Sequence, residues 1–141
     1  MIEFDIEKHM PKIVDNVSGI KKYLCRIRKM LIHITPEETV RQTFINYLVD
    51  EKEFPENRIK LEESVFYHQT KDQKKHKGRT DILVFDDGNT PFILYECKMS
   101  GESFTDNIYE QLFSYLAEIY SIDYIGVVIG KSIQLLDIRF I

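Results

Sequence analysis

The spacing of apolar residues along this chain changes several times, and each change marks an element. Between positions 4 and 34, Ile13, Val17, Ile20, Leu24, Ile27 and Leu31 recur at helix-like intervals, predicting two short helices broken by Pro11 and Ser18-Gly19. Val40, Phe44, Ile45 and Leu48 form a second stripe. Ahead of it, Thr35-Pro36-Glu37-Glu38 supplies a hydroxyl cap, a proline at the first helical position and a glutamate three residues after the cap. A helix is predicted from 36 to about 51, stopped by Phe54-Pro55. The period then drops to two: Ile59, Leu61, Val65 and Tyr67 predict a strand with a slip near Glu62-Glu63. Residues 80–85 and 92–98 are apolar on both faces, as the central strands of a hairpin are. Residues 107–121 predict an amphipathic helix with Tyr109, Leu112, Phe113, Leu116 and Ile119 inward, and 124–129 and 133–140 predict two closing strands. The expected organisation is a helical segment, 1–34, packed on a domain spanning 35–141.

Composition narrows the classes. The chain has 141 residues, 43% hydrophobic and 30% charged, enough to build one core and too apolar for a disordered segment. A net charge of -4 excludes blanket adhesion to nucleic acid or anionic membrane, so any polyanion must meet a local basic patch. Two candidates exist. Lys21, Lys22, Arg26, Arg28 and Lys29 would form the outer face of the second helix. Residues 68–79 form a basic loop in which Lys71, Lys74, Lys75, Lys77 and Arg79 face one acid, Asp72. The start carries Glu3, Asp5 and Glu7 where a signal peptide would be basic and then apolar, and the apolar run at 124–129 is too short to cross a bilayer. Cys25 and Cys97 have neither zinc-site nor disulfide-framework spacing. The expectation is a cytoplasmic protein without a membrane partner. Gly126 to Ser132 imitates a phosphate-binding P-loop, but its glycines are one residue too close and a strand pattern, not a helix, follows. It reads as a glycine turn.

The chemistry gathers on the hairpin. In Glu96-Cys97-Lys98, strand alternation sends Glu96 and Lys98 to one face and Cys97 to the other. With Gly88-Asn89 central in the turn, Phe85 faces Phe92, Leu83 faces Leu94, and Asp81 faces Glu96. Two opposed carboxylates repel each other, all the more at the end of apolar strands. Two arrangements relieve this. One is a divalent cation, Mg²⁺ or Mn²⁺, held by Asp81, Glu96 and the backbone carbonyl of Cys97, with Lys98 orienting or deprotonating a water and offsetting phosphoryl charge. The other is a checkerboard of ion pairs, Asp81 with Lys98 and Arg79 with Glu96. Cys97 reads as a buried thiol without a histidine partner, and His68 and His76 lack partners at ligand spacing.

Thr80-Asp81 followed by Glu96-Cys97-Lys98 resembles the active-site pattern of the PD-(D/E)xK nuclease superfamily, with Thr80 in the place of its proline. The order of Thr35-Pro36-Glu37-Glu38-Thr39-Val40-Arg41-Gln42, Glu62-Glu63, Gly78-Arg79-Thr80-Asp81-Ile82, Glu96-Cys97-Lys98 and Gln111-Leu112-Phe113-Ser114-Tyr115 resembles the N-terminal nuclease domain of type I restriction enzyme R subunits. The resemblance implies an α/β, restriction-endonuclease-like fold, a mixed central β-sheet flanked by helices. It implies Mg²⁺-dependent hydrolysis of DNA phosphodiesters with Asp81, Glu96 and Lys98 catalytic and Gln111 and Tyr115 auxiliary. Either Glu37 or Glu38 is expected to face the site, although Glu38 also suits a capping box and Glu37 a helix salt bridge to Arg41. The basic loop, Lys71 to Arg79, would contact DNA, and motor or specificity subunits of a restriction system are implied partners. In that family the domain precedes a motor with a true P-loop; this sequence contains none, so a freestanding relative or a partner-dependent one is expected. The competing expectation is a non-catalytic nucleic-acid-binding or assembly module on the same fold.

Overall fold

The computed structural model describes residues 1–15, 18–68, 72 and 74–140. In chain order its elements are β1 (Ile2–Glu3), β2 (Ile13–Asp15), β3 (Lys21–Cys25), β4 (Met30–His33), α1 (Pro36–Asn46) continued by a π-helical turn (Tyr47–Glu51), β5 (Ile59–Leu61), β6 (Ser64–His68), β7 (Lys75–Arg79), β8 (Ile82–Phe85), β9 (Pro91–Lys98), α2 (Asp106–Leu116), β10 (Tyr124–Ile129) and β11 (Ser132–Asp137). Among the described residues, six strands make the central sheet in the order β1-β11-β10-β9-β8-β5. Its β9–β10 pairing is parallel and the others antiparallel, so the sheet is mixed. The fold class is the expected one: α/β, with a mixed central sheet between two helices.

Both faces of the sheet are covered, which is why its middle strands are apolar throughout. Ile82, Val84, Tyr95, Cys97 and Val128 pack with Phe44, Ile45 and Leu48 of α1 and its continuation. The alternate residues Leu83, Leu94, Val127 and Ile129 pack with Ile108, Leu112 and Tyr115 of α2. Gly126 admits the Tyr95 ring, whose atoms lie 2.4 Å from where a Cβ would stand. Thr35 caps α1 as its sequence requires: its Oγ1 accepts the Glu38 backbone N–H at 3.0 Å. Gly130, with φ +58°, makes the turn from β10 into β11, so the P-loop imitation ends in a strand. Among the described residues no helix is long and apolar enough to cross a membrane.

The hairpin register holds where the core fixes it. Leu83 opposes Leu94, with Ile82 opposite Tyr95 and Val84 opposite Ile93, but Phe85 opposes Pro91 instead of Phe92 because a bulge intervenes after Val84. The irregularity lies toward the turn, where Asp86 Oδ1 accepts the N–H groups of Gly88 and Thr90, and leaves the far end in register.

Four expectations need correction. The segment 1–34 is not helical: β2, β3 and β4 form an antiparallel sheet. Tyr23 and Cys25 are buried at 3% and 0% exposure while Leu24 between them is 37% exposed, a period of two hidden beneath an incidental helix-like spacing. Val17 lies outside the described residues. The basic residues of this segment are not one helical face, since Arg26 and Lys29 bind Glu56 from the turn between β3 and β4. Second, the basic loop is largely a strand: from Lys75 to Arg79 it is β7, paired with β6 in a separate two-stranded ribbon. The slip at Glu62 is the junction. Its left-handed backbone, φ +53°, lets the chain step out of the central sheet after β5 and start the ribbon, at about 1–2 kcal/mol for a residue with a Cβ. Third, α2 ends at Leu116 and turns Tyr115 inward while Phe113 is exposed. Fourth, the bulge replaces the expected Phe85–Phe92 pairing.

Candidate active site

Asp81 immediately precedes β8, and the register that pairs Ile82 with Tyr95 brings it opposite Glu96 at the same end of the hairpin. Two backbone links fix its position. Thr80, fully buried, donates both its N–H and its hydroxyl to the Glu63 carbonyl at 2.9 and 3.1 Å, and the Asp81 carbonyl accepts the Glu62 N–H at 3.1 Å. The carboxylate is equally constrained. Oδ2 accepts the Cys97 N–H at 2.7 Å, and Oδ1 accepts from Arg41 Nη2 at 2.9 Å.

Glu96 is also buried. Its Oε1 lies 3.4 Å from Lys98 Nζ, so these residues share a face as strand alternation requires, and its Oε2 has no hydrogen-bond partner. Burial and then the Asp81 charge push the Glu96 pKa up to about 8, with Lys98 opposing. For Lys98 the balance reverses: burial alone would lower its pKa, but Glu96 holds it above the ordinary value. Cys97 is fully buried, which pushes its thiol well up and makes it a core residue and not a nucleophile.

Sequence reasoning assigned Arg41 only a helix salt bridge; the structure puts its buried guanidinium at the centre of the acids. It binds Glu38 Oε1 at 2.5 Å, Glu62 Oε1 and Asp81 Oδ1 at 2.9 Å, and Glu37 Oε1 at 3.4 Å. Burial alone would lower its pKa; Asp81 and Glu38 reverse that. Arg28 Nη2 approaches Glu62 at 3.1 Å, and Arg79 Nη1 donates to it at 3.4 Å. Glu37 and Glu38 therefore both face the site, lining with Arg41, Glu62 and Asp81 an open cleft of about 420 Å³. Glu38 completes half of a capping box, giving its backbone N–H to Thr35 and its carboxylate to Arg41 and Gln42. The ion pairs of the alternative checkerboard do not form: Asp81 pairs with Arg41, Lys98 with Glu96, and Arg79 with Glu62. A signal for Arg41 existed. It lies three and four positions before Phe44 and Ile45 on the apolar stripe of α1, where a cation requires buried acids.

Of the remaining expected residues, two lie together on α2. Gln111 Nε2 donates to the Tyr115 hydroxyl at 2.8 Å, one helical turn on. The Tyr115 ring is buried edge-on to Tyr67 at 5.3 Å and against Gly78, where a Cβ would meet the hydroxyl oxygen at 2.6 Å. Burial raises the Tyr115 pKa, Gln111 opposes it, and the Glu96 and Asp81 charges add to the rise, so this hydroxyl lies within the field of the site. Lys74, Lys75, Lys77 and Arg79 are all exposed, the last three on alternating positions of β7. Lys71 and the side chain of His68 lie outside the described residues. His76 bonds Asp72 at 3.0 Å.

Among the described residues, no three His, Cys, Asp or Glu side chains form a ready ligand cage. The available donors are carboxylate oxygens, and the unpartnered Glu96 Oε2 is the atom that fits a hard cation, which needs few protein ligands when it retains its waters.

No curated protein matches the chain. A family model, the type I restriction enzyme R protein N terminus (HSDR_N), matches residues 36–140, from the first residue of α1 through the end of the central sheet, a span that contains Arg41, Asp81, Glu96 and Lys98. The chain belongs to the type I restriction enzyme R protein N terminus family.

Proposed function

We propose that this domain hydrolyses DNA phosphodiester bonds with a divalent cation, Mg²⁺ or Mn²⁺, at the Asp81, Glu96 and Lys98 cluster. The observation that carries this reading is Glu96 Oε2, a buried carboxylate oxygen without a partner beside a second buried carboxylate. Such an oxygen stays ionised only where something positive meets it; without a cation it holds a proton, as its raised pKa records. Asp81, Glu96 and the backbone carbonyl of Cys97 would hold the ion. When bound, it supplies Lewis-acid polarisation of a phosphoryl oxygen and a more acidic water.

The chain's own residues do the rest. Asp81 is oriented by the Cys97 N–H and Arg41. Lys98, kept as ammonium by Glu96, offsets negative charge on a phosphoryl oxygen, a role its raised pKa favours over drawing a proton from water. Glu37 and Glu38 act through Arg41, and Gln111 holds the Tyr115 hydroxyl. DNA would lie along Lys74, Lys75, Lys77 and Arg79, so binding should weaken as salt rises. The family context implies motor or specificity subunits of a restriction system as partners. The second reading, a non-catalytic nucleic-acid-binding or assembly module, is favoured by Arg41, whose guanidinium already neutralises Asp81.

Supercoiled plasmid and single-stranded DNA incubated with Mg²⁺ or Mn²⁺ separate the two. The wild type is expected to cleave, Asp81→Ala to fall to background, and Lys98→Ala to lose about 10²–10³-fold in rate. Cleavage that survives both substitutions overturns the assignment; salt-sensitive binding without cleavage supports the module.

A further inference from the structure

The β6–β7 ribbon has two unlike faces. Inward, Val65, Tyr67, His76 and Gly78 lie toward α2: Tyr67 meets the Tyr115 ring, His76 stacks on Tyr67 at 5.6 Å, and Gly78 admits the Tyr115 hydroxyl. Outward, Lys75, Lys77 and Arg79 recur at every second position, and Phe66, 48% exposed, stands directly across from Lys77. Lys75 Nζ lies 4.7 Å from the Phe66 ring centroid. Lys77 has no acidic partner among the described residues, and Arg79 keeps only a 3.4 Å contact with Glu62. Arg79 is also two residues from Asp81. A row of cations ending at the carboxylates, with an open aromatic ring beside it, combines the two components of a single-strand platform: charge for the backbone and a π-face for a base. Bases inside a duplex stack on one another and present no free face to such a ring.

From this juxtaposition we infer that the outer face of the ribbon binds unpaired DNA, one base stacking on Phe66 while the backbone follows Lys75, Lys77 and Arg79 toward the acidic cleft. The inference rests on the proposed function and deepens it: the segment adjoining the scissile bond is single-stranded. The occupant is chosen by charge and chemistry together, since a cationic stripe selects a polyanion and the exposed Phe66 ring beside it selects one whose bases are accessible.

The test is fluorescence anisotropy of the full chain with a labelled mixed-sequence single strand and a duplex of equal length, in EDTA at low salt. The wild type is expected to prefer the single strand. Phe66→Ala should weaken single-strand binding about tenfold or more and duplex binding by less than about twofold, while Phe66→Tyr retains the preference. A 2-aminopurine reporter in the strand should lose emission on binding the wild type but not Phe66→Ala. Equal losses for both nucleic acids would identify Phe66 as a groove wedge and overturn the inference, as would no change in either. Thermal melting verifies that the exposed substitution leaves the fold intact. Because no divalent cation is present, hydrolysis is not being read: a chain that cleaves nothing but keeps the preference sinks the catalytic proposal alone, and cleavage without the preference sinks this one alone.

Discussion

Two groups of positive charge flank Asp81, and their environments assign them opposite roles. Arg41, on α1, is buried among four carboxylates and completes the interior. Lys75, Lys77 and Arg79, on β7, stand in solvent. The same kind of residue holds the molecule together on one side and remains available to a ligand on the other. What separates them is desolvation: a buried cation is compelled to find partners within the chain, whereas an exposed one is satisfied by water and gives that up readily.

Substitution should expose this contrast at once. Arg41→Ala leaves the buried Asp81 carboxylate without its counter-charge and is expected to cost about 3–5 kcal/mol, read as a fall in the urea midpoint. If it behaved like a surface substitution, the contrast would fail. Glu96 sharpens it through pH. Its pKa is raised on folding, so the folded state holds the proton more tightly than the unfolded one, and the associated stability is present below the ordinary glutamate range and lost as pH rises through about 8. Glu96→Gln removes that dependence, so unfolding of the metal-free protein at pH 5, 7 and 9 should show the variant gaining on the wild type as pH increases. A constant gap would mean that Glu96 ionises normally. Gly78→Ala places a Cβ against the Tyr115 hydroxyl and should cost about 1–3 kcal/mol by pushing the ribbon from α2; an unchanged melting temperature would show that the ribbon yields freely. Lys77→Gln should alter stability by no more than about 0.5 kcal/mol while flattening the salt dependence of DNA binding.

Which parts were readable from the sequence follows from the range of the forces involved. The Leu83–Leu94 register was accessible through the alternation of apolar residues, although the turn centred on Gly88-Asn89 is one residue out and the bulge after Val84 restores the count; the cap at Thr35 was accessible because it is local. The opposition of Asp81 and Glu96 followed from that register. Arg41 was not visible as the counter-charge, since Glu62 and Asp81 lie 21 and 40 positions away and reach it only through the tertiary fold. The segment 1–34 misled for a different reason. Its strands are short, and exposed Ile13, Ile20 and Leu24 fall at helical intervals while the positions that matter, Tyr23 and Cys25, include a tyrosine and a cysteine outside that stripe. The basic run was mistaken for a loop because charged residues dominate β7, and its inward positions are a histidine and a glycine in place of aliphatic residues.

The small sheet of β2, β3 and β4 lies ahead of the stretch that matches the family, yet it is wired into the cleft. Arg28, in the turn between β3 and β4, extends to Glu62 and Glu38, and Tyr23 grips Thr39 of α1 through its hydroxyl. Trimming the protein back to residue 35 is therefore not a neutral excision. It would withdraw a guanidinium from a pocket already rich in acids, making that pocket more hospitable to cations and less welcoming to a phosphate, so a shortened version would report on a different electrostatic machine from the intact one.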